Sequence, residues 1–416
     1  MSRLSDRLPA LRSPGFRNYV LGSFVSNTGN TIQAWAIAWH VYHLTGSSLM
    51  VGLLGLVRVG PLLVFTLFGG VLADHADRRK IMIAMQSAMA VVALALFWTT
   101  SAGLITVGLL YLFVGCNAVA RAFDGPARQS MVVGLVPIEH FPNAASLNGM
   151  SWRLSDVIGP IIAGFLLASP GLFGLEGLAL CYGLNFFSFI AVLVAVWRLN
   201  PRQTMNPDRP QNIREVLARI GEGLRFVNRT PVVRSAMWID FWATLFSGAE
   251  ALLPAFAGAI LKLGPQGYGI LAASTGVGAL LAATGMAWFP TARRQGRVVV
   301  GMIGLYGLAT ISFGLSQTLM TAAISLAAVG AADMISTVLR QTIRQLATPD
   351  ELRGRMSATS SLFHISGPQL GDFEAGAVAG LWGERASIII GGGLCVLVAA
   401  HWSRARALVE YEHGQS

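Results

Sequence analysis

The chain has 416 residues, of which 54% are hydrophobic and only 12% charged, and its mean hydropathy is +0.59, whereas a soluble domain carries about 25% charged residues. This composition excludes an ordinary soluble globular protein, and recurring apolar runs of roughly 20 residues fit an all-α membrane protein. The formal charge of +10 does not mark a nucleic-acid binder, because the basic residues sit in gaps between apolar runs instead of sharing one face with aromatics.

The opening MSRLSDRLPALRSPGFRNYV has a basic lead, but the apolar segment behind it is too long for a signal peptide and shows no clear cleavage site. It reads as a retained first helix. Apolar length predicts spans at Tyr19–Tyr42, Leu49–Ala73, Ile81–Ser101, Ile105–Phe123, Ala144–Ala168 and Leu175–Val196. A second set follows at Val232–Ile260, Gly267–Phe289, Val298–Leu315, Met320–Ile343, Met356–Leu381 and Ala386–His401. The expected organisation is an N-terminal six-helix bundle (1–197), a linker (198–230) and a C-terminal six-helix bundle (231–416). In the linker, Ile213, Val216, Leu217, Ile220, Leu224 and Val227 recur at helical spacing, which predicts an amphipathic helix lying on the membrane surface.

Arg3, Arg7, Arg12 and Arg17, then Arg78, Arg79 and Lys80, Arg128, the linker arginines, Arg293, Arg294 and Arg297, Arg353 and Arg355, and Arg404 and Arg406 all fall on one side. The opposite loops offer Lys262 and Arg385. Positive residues favour the cytoplasm, so both termini are expected there, in a multi-pass protein of the cytoplasmic membrane. Cys116, Cys181 and Cys395 lie inside apolar runs and predict neither disulfides nor a zinc site.

A shift of 212 positions carries Arg128 and Gln129 onto Arg340 and Gln341, Pro137 onto Pro349, Glu139 onto Glu351, Gly159 onto Gly371 and Gly164 onto Gly376. Two similar halves about an axis along the membrane normal are a common build of secondary transporters, with the substrate site near midplane.

The stretch GGVLADHADRRKIM resembles the loop motif of the major facilitator superfamily through Gly70, Asp74, Arg78 and Arg79. It departs from the motif at His75 and at Asp77, which stands where the motif has its second glycine. An acid there is similar to a branch of bacterial exporters that includes enterobactin and macrolide efflux proteins. SNTGNTIQAWAIAWHVYHLTGSS, AFDGPARQSMVVGLVP and SGPQLGDFEAGAVAGLWG resemble the same branch. GPIIAG, with Gly159, Pro160 and Gly164, resembles the end of the fifth-helix motif of antiporters, although Ser146 and Ser155 replace its earlier glycines. The residues alone also allow a plainer reading, in which small residues let helices approach and Gly-Pro bends one. The resemblance implies a twelve-helix transporter that exports a siderophore or a drug-like molecule, with no cofactor beyond a proton gradient, and in which Asp74 helps to lock one state of the gate.

Ionisable side chains within spans are functional candidates by default. Arg121 with Asp124, and Arg153 with Asp156, sit three apart and are expected to pair. Asp240 and Glu250 in the seventh span, Asp333 in the tenth, and Asp372 and Glu374 in the eleventh have no basic residue within one turn. These five are the candidates for proton coupling, with Glu250 first because it looks deepest and precedes Pro254. A carboxyl hydrogen-bonded across helices is the competing reading for each. Arg58 either holds an anionic group of the substrate or pairs with an acid across the bundle. Asn27, Asn30, Gln33 and Asn117 either line a polar cavity or bond helix to helix. His40 and His43 share a face but make a poor metal site, and no nucleophile set points to an enzyme. The partners expected are the bilayer and a small molecule, with the chain working as a monomer. An importer, or a receptor or scaffold that kept the fold, are the alternatives.

Overall fold

The structure is a computed structural model that describes residues 8–75, 77–171, 175–199, 213–288 and 294–411. Arg3, Arg7, Phe289, Arg293 and the linker residues 200–212 lie outside the described residues. The first six long helices are α1 (Pro14–Thr45), α2 (Ser48–His75), α3 (Arg78–Ser101), α4 (Val107–Leu135), α5 (Phe141–Leu167) and α6 (Gly177–Trp197). The linker helix is α7 (Ile213–Arg229). The seventh span is broken into α8 (Pro231–Leu245) and α9 (Ala249–Ala255), which runs into a π-helical turn at Phe256–Ile260. Then come α10 (Gly264–Trp288), α11 (Gln295–Leu315), α12 (Leu319–Leu346), α13 (Arg353–Trp382) and α14 (Glu384–Trp402).

Among the described residues, ten spans are long and apolar enough to cross a membrane, with the broken seventh counted once. Helices α1 and α13, 32 and 30 residues long, have the length and carry more polar side chains. Together they give twelve. The helices begin where the sequence supplies caps: Thr106 accepts from the Leu109 N–H, and Thr318 with Thr321 forms a reciprocal capping box. Gly46 and Gly383, both at positive φ, make the tight turns between α1 and α2 and between α13 and α14.

The fourth span corrects its predicted end. It runs to Leu135, not Phe123, because Asp124 and Arg128 sit i,i+4 and neutralise each other inside the helix (3.1 Å). Arg128 is therefore a buried helix residue and not a loop charge.

The chain forms two compact units. One holds the described residues to His40 and Gly60–Ile213, and the other Val41–Val59 and the chain from Arg214 on. The first is centred on Phe16, Tyr19, Met82, Met89, Met131 and Phe189, from α1, α3, α4 and α6. The second is centred on Ile239, Val299, Ile303, Leu339 and Ile343. In it, Gly307 of α11 and Gly392 of α14 lie so close that an added Cβ would come within 2.6 Å and 2.7 Å of the opposite carbonyl oxygen. Gly278 of α10 meets the Ala327 backbone, and Gly330 of α12 meets that of Thr275. Small residues at such crossings let membrane helices gain contact without a hydrophobic driving force. Gly278→Val is expected to lose about 1–3 kcal/mol by overpacking, read as thermal unfolding in detergent. Gly285→Ala, on the same helix with open space around it, is expected to leave the midpoint unchanged.

Helix α7 buries Ile220, Gly223 and Val227, and a cluster around Val227, Val233, Met237 and Met356 fixes it to α8 and α13. Arg355 pairs with Glu222 at 2.8 Å. Leu217 and Leu224 are exposed on its outer side.

Candidate functional site

Three polar centres lie inside the membrane-spanning helices. The first belongs to the first unit and is built on Arg128, 6% exposed. Its Nε meets Asp124 Oδ2 at 3.1 Å, and the same oxygen accepts from Gln86 Nε2 of α3 at 2.9 Å. Arg128 Nη1 donates to Asn27 Oδ1 of α1 at 3.4 Å, and Trp152 of α5 stacks 5.9 Å from the guanidinium. The partners shown for Asp124 are Arg128 and Gln86, beyond the expected Arg121. Asp124 turns to the buried Arg128 because there the charge is desolvated and its partner close, while the exposed Arg121 acts electrostatically on Asp156 together with Arg153.

A polar seam continues along α1. Asn30 Nδ2 donates to the Ser26 carbonyl, Gln33 Oε1 accepts from Asn185 Nδ2 of α6 at 2.8 Å, and His40 Nδ1 meets the Tyr182 hydroxyl at 3.0 Å. Asn117 stands apart from this seam, its Nδ2 without a hydrogen-bond partner among the described residues. Gly159 and Pro160 of α5 are buried, as is Gly164, and a Cβ on Gly159 would come within 2.7 Å of Thr31. The glycine is what lets α5 approach α1.

The loop motif is anchored at three points of the same unit. Asp77 caps α3, its side chain accepting from the Arg79 N–H at 2.9 Å. Arg78 Nη1 donates to the Ser130 carbonyl at 3.4 Å, and Arg79 Nη2 to that of Trp197. The start of α3 is thereby tied to the ends of α4 and α6. An acid at the motif's second glycine position thus has a physical use as an N-cap. Gly70 and Asp74 lie on the last turns of α2, and their surroundings fall outside the described residues.

The second centre, in the second unit, is built on Arg340, the position the internal shift matches to Arg128. Its side chain is 2% exposed and lies 2.8 Å from Asp240 Oδ1, without the alignment of a hydrogen bond, and 3.8 Å from Asp333. Its Nη2 donates to Thr337 at 2.9 Å. Arg344 Nη1 approaches Asp240 at 3.8 Å. Asp240 and Asp333 are therefore not unpaired. Arg340 reaches Asp333 two turns back because helical side chains lean toward the N-terminus, and it reaches Asp240 on another helix.

The third centre joins α2 to α13 in the second unit. Asp372 accepts from the Ala251 N–H of α9 and lies within electrostatic range of Arg58. Gly52 and Gly55 of α2 pack on the α13 backbone at Asp372 and Gln369, and Ser48 Oγ donates to Glu384 at 2.9 Å. Tyr268 of α10, buried, is in range of both Arg58 and Glu250. Glu250 is exposed and stands at the start of α9, just past the break at 246–248. Glu250 also lies within electrostatic range of the buried Tyr306. Glu374 acts instead on Cys395 of α14.

Sequence reasoning set Arg128 aside as a loop charge and gave Arg340, inside the tenth span, no acidic partner. Their signal was the internal shift itself, which pairs them.

The sequence profile of transmembrane secretion effectors matches residues 5–415. The enterobactin exporter of Salmonella typhimurium strain LT2 is 26% identical over 389 residues, covering 92% of this chain and 90% of that protein. That of Escherichia coli O1:K1 is 26% identical over 406 residues, covering 94% of each. Among solved structures, a bacterial homologue of the human lysosomal transporter Spinster, inward-facing and occupied, has a TM-score of 0.73 at 16% identity, covering 97% of this chain and 99% of that one. A nucleoside transporter has a TM-score of 0.70 at 11% identity, covering 94% and 99%. At such identities the structural likeness speaks to the fold, and that fold is the one shared by major facilitator transporters. With nearly every residue inside one family profile, the chain is a multi-pass membrane transport protein that belongs to the transmembrane secretion effector family of the major facilitator superfamily.

Proposed function

We propose that this protein exports a small organic molecule, siderophore-like or macrolide-like, across the cytoplasmic membrane by alternating access, driven by proton antiport, with both termini in the cytoplasm. The observation that carries the coupling is the Asp372 carboxyl, which accepts from the Ala251 N–H beside a broken span and lies within electrostatic range of Arg58. A carboxyl in the field of a fixed cation can take up and release a proton, and that change of charge can loosen one helix crossing. Asp240 and Asp333, bound to Arg340, serve structure in this reading. Glu250 and Glu374 remain alternative proton carriers. The export direction and the substrate class rest on the family and on the exporters it resembles. The chain needs no cofactor and works as a monomer, and the Asp77–Arg79 anchor steadies the cytoplasmic gate together with Asp74.

A strain lacking the gene is expected to release less siderophore into its medium or to become more sensitive to a macrolide, with the wild-type gene restoring either loss. Unchanged release and an unchanged drug panel would overturn the exporter reading. Reduced uptake of a metabolite would turn it into an importer.

A further inference from the structure

We propose that a cavity inside the second unit binds the anionic group of an organic anion, and that the cargo of this transporter is therefore anionic; the second half of this statement rests on the exporter reading. The cavity, about 640 Å³, lies between the last turns of α12 and the first turns of α13. Its size falls within the range of about 300–1,000 Å³ usual for small-molecule sites. Arg344, Arg353 and His364 line it together with Gln341, Gln345 and Ser360, and no carboxylate is among the described lining residues.

The charge balance beside it favours an anion. Arg344 and Arg340 share one buried carboxylate, Asp240, and Arg340 holds it more closely, at 2.8 Å against 3.8 Å. Arg344 Nη1 has no hydrogen bond, although its side chain is only 12% exposed. Asp333, the other nearby acid, has 46% of its side chain exposed. A guanidinium kept at a buried site with half a partner is costly, and a planar carboxylate or phosphate is the group its fork fits.

The internal repeat shows that the scaffold does not require these cations. The shift of 212 positions maps Arg344 onto Val132, Gln345 onto Val133, Arg353 onto Phe141 and His364 onto Trp152. The first half builds the same pair of helices with apolar residues where the second half carries two arginines and a histidine. The cationic lining belongs to one half only, as a ligand site would.

The test is equilibrium binding to the full-length protein in neutral detergent, without any gradient. The probes are benzoate, phthalate, citrate and inorganic phosphate, with trimethylbenzylammonium as the cation control. At least one organic anion is expected to bind and the cation not. Arg344→Gln is expected to weaken the anion about 10- to 100-fold, the loss of a charge-assisted hydrogen bond. Gln345→Glu, which disturbs no ion pair, is expected to weaken it comparably, while Gln129→Glu at the repeat-equivalent of Gln341 leaves affinity unchanged. Absence of anion binding, equal binding of the cation, or indifference to Gln345→Glu would overturn the proposal. A cavity that instead takes phosphatidylglycerol from nanodiscs, sensitive to Arg344→Gln while the soluble organic anions fail to bind, would be a lipid site and would overturn the cargo assignment. Anions that bind with the expected losses yet never accumulate in inverted membrane vesicles would leave the cavity standing and remove the exporter reading.

Discussion

Arg340→Gln is expected to lower the stability of the purified protein by about 3–5 kcal/mol, the usual cost of removing one partner of a buried ion pair. The cost comes less from the attraction lost than from Asp240, which stays buried at 4% exposure with Arg344 as its remaining cation, 3.8 Å away. That residual partner favours the lower end of the range. Asp240→Asn in the Arg340→Gln background is expected to recover part of the loss, because the buried carboxylate is then gone while Arg344 loses its acid in turn. Thermal unfolding in detergent of the two single variants and the double closes the cycle. A single variant within about 1 kcal/mol of wild type, the level typical of exposed pairs, would show that water reaches the pair and that Arg340 is no structural centre. Arg128→Gln in the first unit is expected to cost less than Arg340→Gln, since Asp124 keeps the hydrogen bond from Gln86.

The membrane-spanning pattern was legible because bilayer thickness imposes one length on every span, so apolar runs report helices directly. The linker helix was legible through its spacing, and α7 does bury Ile220 and Val227. What could not be read was pairing. Asp240 and Arg340 are 100 positions apart yet lie 2.8 Å from each other, and a search for a base within one helical turn cannot find such a partner. The end of α4 was misjudged for the same reason: Asp124 and Arg128 look like loop charges until their mutual neutralisation, with Gln86 and Asn27 contributed by other helices, makes burial affordable. The break in the seventh span was not legible because it depends on tertiary packing, where Gly248 and Gly371 approach backbone to backbone. Of the two readings open for Gln33, helix-to-helix bonding is the one its contact with Asn185 supports.

Asp372→Asn, reconstituted into proteoliposomes, is expected to reduce pH-gradient-driven export to the rate of protein-free vesicles. The substitution keeps the shape of the side chain and its ability to accept from the Ala251 N–H, and removes only the capacity to take up and release a proton. It also removes a carboxylate within electrostatic range of Arg58, so thermal unfolding must accompany the transport assay. Arg58→Gln with Asp372→Asn is expected to restore stability while export stays lost. Exchange of labelled for unlabelled substrate needs no net proton movement. Exchange that persists in Asp372→Asn therefore assigns the residue to coupling, and exchange lost along with export assigns it to the architecture of the α2–α13 crossing. Glu250→Gln is the necessary comparison, because Glu250 is exposed at the break and reaches the same region through Tyr268. Coupling retained in Glu250→Gln and lost in Asp372→Asn places the proton on Asp372, and the reverse places it on Glu250. If both variants export at the wild-type rate, neither acid carries the proton, and Asp372 is left with the single task of helping to hold α13 in place.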